Sequence, residues 1–106
     1  MNPETNNWIR EILETDKVIH EPARVVILSL LNAVKEVDFV FLMNQTGLTQ
    51  GNLSSHLSKL EGAGYIEIEK TFAHKRPKTL IRINAQGKAA FDEYVAGLKK
   101  FLHALE

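Results

Sequence analysis

Apolar residues recur along this chain at two spacings, every three to four residues and every second residue, and the switches between them divide it into elements. Trp8, Ile9, Ile12 and Leu13 fit a helix over 7–18. A second helix is expected from Pro22, which suits a first helical position because its missing N–H would be unpaired there. Its stripe is Val26, Ile27, Leu30, Leu31 and Val34. The run 38–43 is ambiguous and can start as a short strand and then turn into a helix reaching Gln45, with Gly47 as a stop. A further helix starts at Thr49, whose hydroxyl can cap it, and Leu48 can staple onto Leu53. Leu53, Leu57 and Leu60 mark its buried face, and the sequence Gly62-Ala63-Gly64 ends it. Period-two alternation follows over 65–72, with Ile66, Ile68 and Phe72 on one side and Glu67, Glu69 and Thr71 on the other. A second strand over 79–83 turns Ile81 and Ile83 to one face, and the polar stretch 73–78, interrupted by Pro77, is read as a basic hairpin tip. Asn84 caps a last helix to about Leu105, with Phe91, Val95, Leu98, Leu102 and Leu105 spaced 4, 3, 4 and 3 and a stripe widened by Tyr94 and Phe101.

This order predicts a mainly α fold with a small β-hairpin (α+β), the plan of a winged helix-turn-helix, as a single domain over residues 1–106. At this length folding removes roughly 60–70% of the surface of the open chain, so a monomer is expected to be modestly stable. There is no Cys, which excludes disulfides and thiolate metal sites and suits a reducing cytoplasm. No apolar run approaches the ~20 residues that span a bilayer. The first ten residues lack the basic-then-apolar order of a secretory signal. A soluble cytoplasmic protein without membrane contact is expected.

Charge changes the picture through its placement. The chain has 13 basic and 13 acidic residues, yet 70–88 holds six basic residues (Lys70, Lys75, Arg76, Lys78, Arg82, Lys88) and no acidic one. Such a segment can attract phosphate while the molecule stays neutral, or it can be a solvated surface. The helix carrying Leu53, Leu57 and Leu60 offers Gly51, Asn52, Ser55, Ser58 and Lys59 on its reverse, with Gln50 and Ser54 near the leading edge. These side chains are free of negative charge. The major groove, about 12 Å wide, admits a helix, where Asn and Gln can pair with adenine and Lys with guanine or phosphate. The amides after Thr49 can hold a phosphate. His56 borders the buried face and is read as a partly packed residue touching a phosphate rather than a base. At the hairpin tip His74, Lys75, Arg76 and Lys78 can straddle the backbone or enter the minor groove, with Pro77 stiffening the turn. The competing readings are an ordinary polar helix face and a charged turn blunting an edge strand.

The stretch 47–65, and within it LSSHLSKLEGAGYIEIEK, resembles the helix-turn-helix core of MarR/ArsR-type winged-helix regulators. The segments His20-Glu21-Pro22-Ala23-Arg24 and Lys75-Arg76-Pro77-Lys78-Thr79 are similar to short stand-alone members of that group, and the likeness spans about 17–100. The resemblance implies that the matched helix enters the major groove, that the hairpin is the wing, and that terminal helices form a homodimer. The chain departs from the pattern in having no Cys for a thiolate sensor site and little length for a ligand cleft.

The last helix carries more apolar surface than one small core needs. Tyr94, Val95, Leu98, Phe101, Leu102 and Leu105, joined by Trp8, Ile9 and Ile12, are therefore expected to form a dimer interface. A twofold dimer sets two reading helices about 34 Å apart and favours a palindromic operator. No phosphate-cradling Gly loop, HExxH pair or nucleophile elbow occurs, so no enzyme is expected. The four His are scattered; His20, Glu21 and His103 can come together at an interface, but neither metal nor cofactor is expected. Glu67 and Glu69 read as a solvent face. The expected function is sequence-specific binding of double-stranded DNA by a small homodimeric transcription regulator, repressing by occlusion. The alternatives are a protein–protein module on the same scaffold, consistent with zero net charge, and an effector-responsive sensor.

Overall fold

The computed structural model describes residues 7–106. Its elements are α1 (Asn7–Leu13), α2 (Pro22–Ala33), β1 (Val37–Asp38), α3 (Phe39–Thr46), α4 (Gln50–Gly62), β2 (Ile66–Ala73), β3 (Arg76–Ile83) and α5 (Ala85–Ala104). This is the winged helix, with one strand more than the hairpin alone. β1 pairs antiparallel with β3, Val37 opposite Ile81 and Asp38 opposite Leu80, so the sheet runs β1-β3-β2. The ambiguous stretch is thus strand and then helix, and Asp38 serves both: its carboxylate accepts from the N–H of Phe41 (2.7 Å) and starts α3. Gly47, at φ 70°, ends α3 in the left-handed conformation.

The end of α1, the buried face of α2 and the start of β3 differ from expectation. α1 stops at Leu13 rather than at Val18, because Asp16 accepts from the N–H groups of Val18 (2.9 Å) and Ile19 (3.0 Å) and turns the chain. Ile19 is thereby dropped into the core. The buried face of α2 is centred on Ile27, Leu28 and Leu31, while Val26 and Val34 are exposed. α2 packs against α3, α4 and β3 together, and that three-sided setting, rather than the stripe alone, decides its rotation. The wing turn is only His74-Lys75, both with positive φ (53° and 65°), as a two-residue turn matched to strand twist demands. β3 therefore begins at Arg76 and includes Pro77, paired with Phe72. β1 does not reach that far, so the missing N–H of Pro77 faces an open edge. Phe72, assigned to the inner side with Ile66 and Ile68, is 74% exposed because the hairpin has left the body and nothing lies over it.

The core joins Ile19, Ile27, Leu28, Leu31, Leu42, Leu53, Leu57, Leu60, Ile66, Ile81, Phe91 and Tyr94. α4 is the helix the leucine spacing predicts, capped by Thr49, which accepts from the N–H of Asn52 (3.1 Å). Asn84 caps α5 by accepting from the N–H of Gly87 (2.8 Å), and its own amide donates to the carbonyl of Gly64 (2.8 Å). α5 is long enough, about 30 Å at 1.5 Å per residue, to run past the body, and the molecule measures 64 × 25 × 21 Å. α1 lies on this helix, with the Trp8 and Phe101 rings 5.7 Å apart and Lys100 bonded to Glu11 (2.9 Å). Among the described residues no helix is long and apolar enough to cross a membrane.

Candidate nucleic-acid interface

With Leu53, Leu57 and Leu60 buried, helical geometry turns the opposite side of α4 outward. Thr49, Gln50, Gly51, Asn52, Ser54, Ser55, Ser58 and Lys59 are all exposed. The face has two flanks. On the wing side Gln50, Ser54, Ser58 and Glu61 border a groove of about 490 Å³ whose other wall is Ile68, Lys70 and Thr79 of the sheet. On the far side Asn52, His56 and Lys59 follow one another at helical spacing, and His56 adjoins the start of α2.

His56 is half-buried. The guanidinium of Arg24 donates to its Nδ1 (3.0 Å), and the Glu21 carboxylate stands 3.6 Å from the same atom. Arg24 is 8% exposed, held also by a hydrogen bond from its Nε to the carbonyl of Val18. Glu21 caps α2 by accepting from the N–H of Arg24 (3.0 Å). The expectation that His56 is partly packed is met by this network.

The wing places His74, Lys75, Arg76 and Lys78 at the surface. The six cations of 70–88 are not equivalent, however. Arg82 donates to Glu36 (2.6 Å) and Glu69 (3.4 Å), and these bonds raise its pKa above the usual value. Lys78 lies 3.8 Å from Asp38, and Lys88 3.8 Å from Asp92. Among the described residues Lys59, Lys70, Lys75 and Arg76 have no carboxylate within 4 Å. Lys70 counts among the basic residues of 70–88 in the sequence but is not assigned there to the reading helix or the hairpin tip. Its signal was there: alternation puts it on the Ile66–Ile68 face, opposite Thr79 in register, where that face clears the core.

A larger cleft, about 620 Å³, lies between α1 and α5, away from this face, and is edged by Glu11, Glu14, Asp16 and Glu93. Its acidic rim repels phosphate, so size does not identify the nucleic-acid surface here. Within it the Tyr65 hydroxyl donates to Asp16; that bond and burial push its pKa up to about 12. Burial likewise raises Tyr94, whose hydroxyl is 2.9 Å from His20 Nδ1. His20 is thus engaged with Tyr94 while His103 lies at the end of α5, paired at 3.5 Å with Glu106. Among the described residues no group of three His, Asp or Glu is placed to hold a metal.

Of the nine residues expected at a dimer seam, Tyr94 is only 6% exposed and serves its own core, its hydroxyl meeting His20 ahead of α2. Trp8, Ile12, Val95, Leu98 and Phe101 are half-buried, whereas Ile9, Leu102 and Leu105 are exposed.

The family model described as winged helix DNA-binding domain matches residues 23–102. An uncharacterized protein of Methanocaldococcus jannaschii is 39% identical over 79 residues, 74% of this chain and 86% of that protein. The solved structure of a transcriptional regulator homologue from Pyrococcus horikoshii superposes with a TM-score of 0.86 at 27% identity, over 93% of this chain and 97% of that one. A MarR-family transcriptional regulator from Silicibacter pomeroyi gives 0.65 at 18% identity, over 95% of this chain and 65% of that one, and shares the fold.

Proposed function

Because the chain belongs to the winged helix DNA-binding domain family, we propose that it binds double-stranded DNA sequence-specifically as a small homodimeric transcription regulator. The observation that carries this reading is the face of α4. An exposed helix side of Ser, Asn and Gln lies between Lys59 on one flank and Lys70 across the groove on the other, with Lys75 and Arg76 beyond on the wing. In this reading Gln50, Asn52, Ser54 and Ser55 meet base edges, and the four unpaired cations meet phosphate. Thr49, Gly51 and Ser58 keep the helix close to the backbone, and His74 and Lys78 border the wing contact. The exposed Ile9, Leu102 and Leu105 on the protruding α1–α5 arm supply the apolar seam for a second copy. A twofold pair presents two α4 helices to a palindromic operator, and occupancy of that operator represses by excluding polymerase.

The pairing of the wing cations supplies a test. Lys70→Ala is expected to weaken binding to every duplex alike and to lower the slope of log K against log salt by about one. Arg82→Ala is expected to leave that slope unchanged, since Glu36 and Glu69 already take up its charge. Selection from a random DNA pool, followed by titration of the selected duplex at several salt concentrations, measures both. Failure to enrich any sequence, or binding indifferent to salt, rejects the reading.

A further inference from the structure

Arg24 is a buried cation on α2 whose Nε donates to the carbonyl of Val18 and whose Nη1 is aimed at a residue of α4. A guanidinium has only donors. The nitrogen of His56 that it meets, Nδ1 at 3.0 Å, must therefore be the unprotonated acceptor. The remaining proton of a neutral imidazole then sits on Nε2. Among the described residues that atom makes no hydrogen bond, and none of their fully buried side-chain nitrogens lacks a partner, so Nε2 is not sealed from solvent. His56 stands four residues after Asn52 and three before Lys59, on the flank of α4 away from the wing.

We propose that Arg24 is a positioning residue that fixes His56 as its Nε2–H tautomer, and that this outward N–H donates to a DNA phosphate beside Asn52 and Lys59. The assignment rests on the DNA-binding reading above and adds to it a neutral, uncharged anchor on the flank opposite Lys70. A donor held in one tautomer and one rotamer loses little freedom on binding, so it sets the register of α4 in the groove.

Nitrogen-15 NMR of the full chain reads the tautomer directly and needs no DNA. The expected result is His56 protonated on Nε2 at neutral pH, becoming a tautomer mixture in Arg24→Met. A proton on Nδ1 in the unaltered protein overturns the proposal. Binding of a mixed-sequence duplex then separates the two ends of the ring. Gln places an amide N–H where Nε2 was, whereas Asn keeps an inward acceptor and loses the outward donor. His56→Gln is expected to bind within about twofold of the unaltered chain. His56→Asn and His56→Ala are expected to lose about tenfold with an unchanged salt slope, because a neutral donor displaces no counterion. Equal weakness of the Gln and Asn variants, or full affinity of the Ala variant, overturns the contact. If the unaltered chain itself binds no duplex, the DNA reading falls and the phosphate contact with it, while the NMR result still decides the Arg24–His56 pairing.

Discussion

Replacing Gly87 by Ala should destabilise the protein, although the same change inside a helix normally does the opposite. Ala is favoured over Gly in a helix interior by about 0.8–1.0 kcal/mol. At Gly87, in the first turn of α5, a Cβ would stand 2.0 Å from the carbonyl oxygen of Tyr65 and 2.8 Å from its carbon. Both are backbone atoms, so no side chain can swing aside, and α5 must withdraw by at least about 1 Å to restore ordinary contact. Withdrawal stretches two bonds that seat the helix, from the N–H of Asn84 to Tyr65 (3.1 Å) and from the Asn84 amide to Gly64 (2.8 Å). Overpacking costs about 1–3 kcal/mol and each weakened hydrogen bond about 0.5–1.5 kcal/mol. After the gain in helix propensity, a net loss of about 1–5 kcal/mol remains. Gly97 is the matched control: it lies in the same helix, and a Cβ there meets nothing within 4 Å. Gly97→Ala should therefore stabilise by up to about 1 kcal/mol. Urea unfolding followed by circular dichroism measures both, with an unchanged m-value showing that the compared states are the same. The two variants should move the midpoint in opposite directions. A Gly87→Ala protein as stable as its parent would refute the close approach of α5 to Tyr65.

Two further outcomes follow from the α1–α5 side of the molecule. The Tyr65 phenol has a pKa raised from 10.0 to about 12, chiefly by its hydrogen bond to Asp16 and then by burial. Folding thus favours its neutral form: this stability is fully present below pH 10 and disappears as pH rises through about 12. Tyr65→Phe should lose that alkaline step, and a tyrosinate absorbance titration showing ordinary ionisation of Tyr65 would contradict the Asp16 contact. Leu102→Glu places a charge on the exposed seam of α5 and should weaken self-association by about 10- to 100-fold while leaving the circular dichroism unaltered. Analytical ultracentrifugation reads it, and an unchanged association constant would move the dimer seam elsewhere.

Most of the helices and strands were legible because the signals that specify them are local. The spacing of Leu53, Leu57 and Leu60 orients α4 without outside help, since each lies within one or two turns of the next. The caps at Thr49 and Asn84 act over three residues, and both hold. From the sequence the second strand is short, because Pro77 reads as a turn residue. Its place in β3 depends on how far β1 extends, which lies some forty positions away in the chain. The rotation of α2 was unreadable for a related reason: Val26 and Val34 satisfy a helical stripe as well as Ile27 and Leu31 do, and only three packed neighbours distinguish them.

What the order of residues established, then, is the list of elements, the inward face of α4 and the uncharged character of its reverse, because periodicity and capping are short-range. Which charges remain free belongs to the folded molecule. Arg82 is taken up by Glu36 and Lys78 by Asp38, acids some forty positions earlier in the chain, whereas Lys70 is left open beside the groove. The same holds for His56, whose outward proton depends on a buried arginine thirty-two residues earlier. Coulomb attraction and hydrogen bonding act through space over a few ångströms, so their partners appear only once the chain has been brought back upon itself.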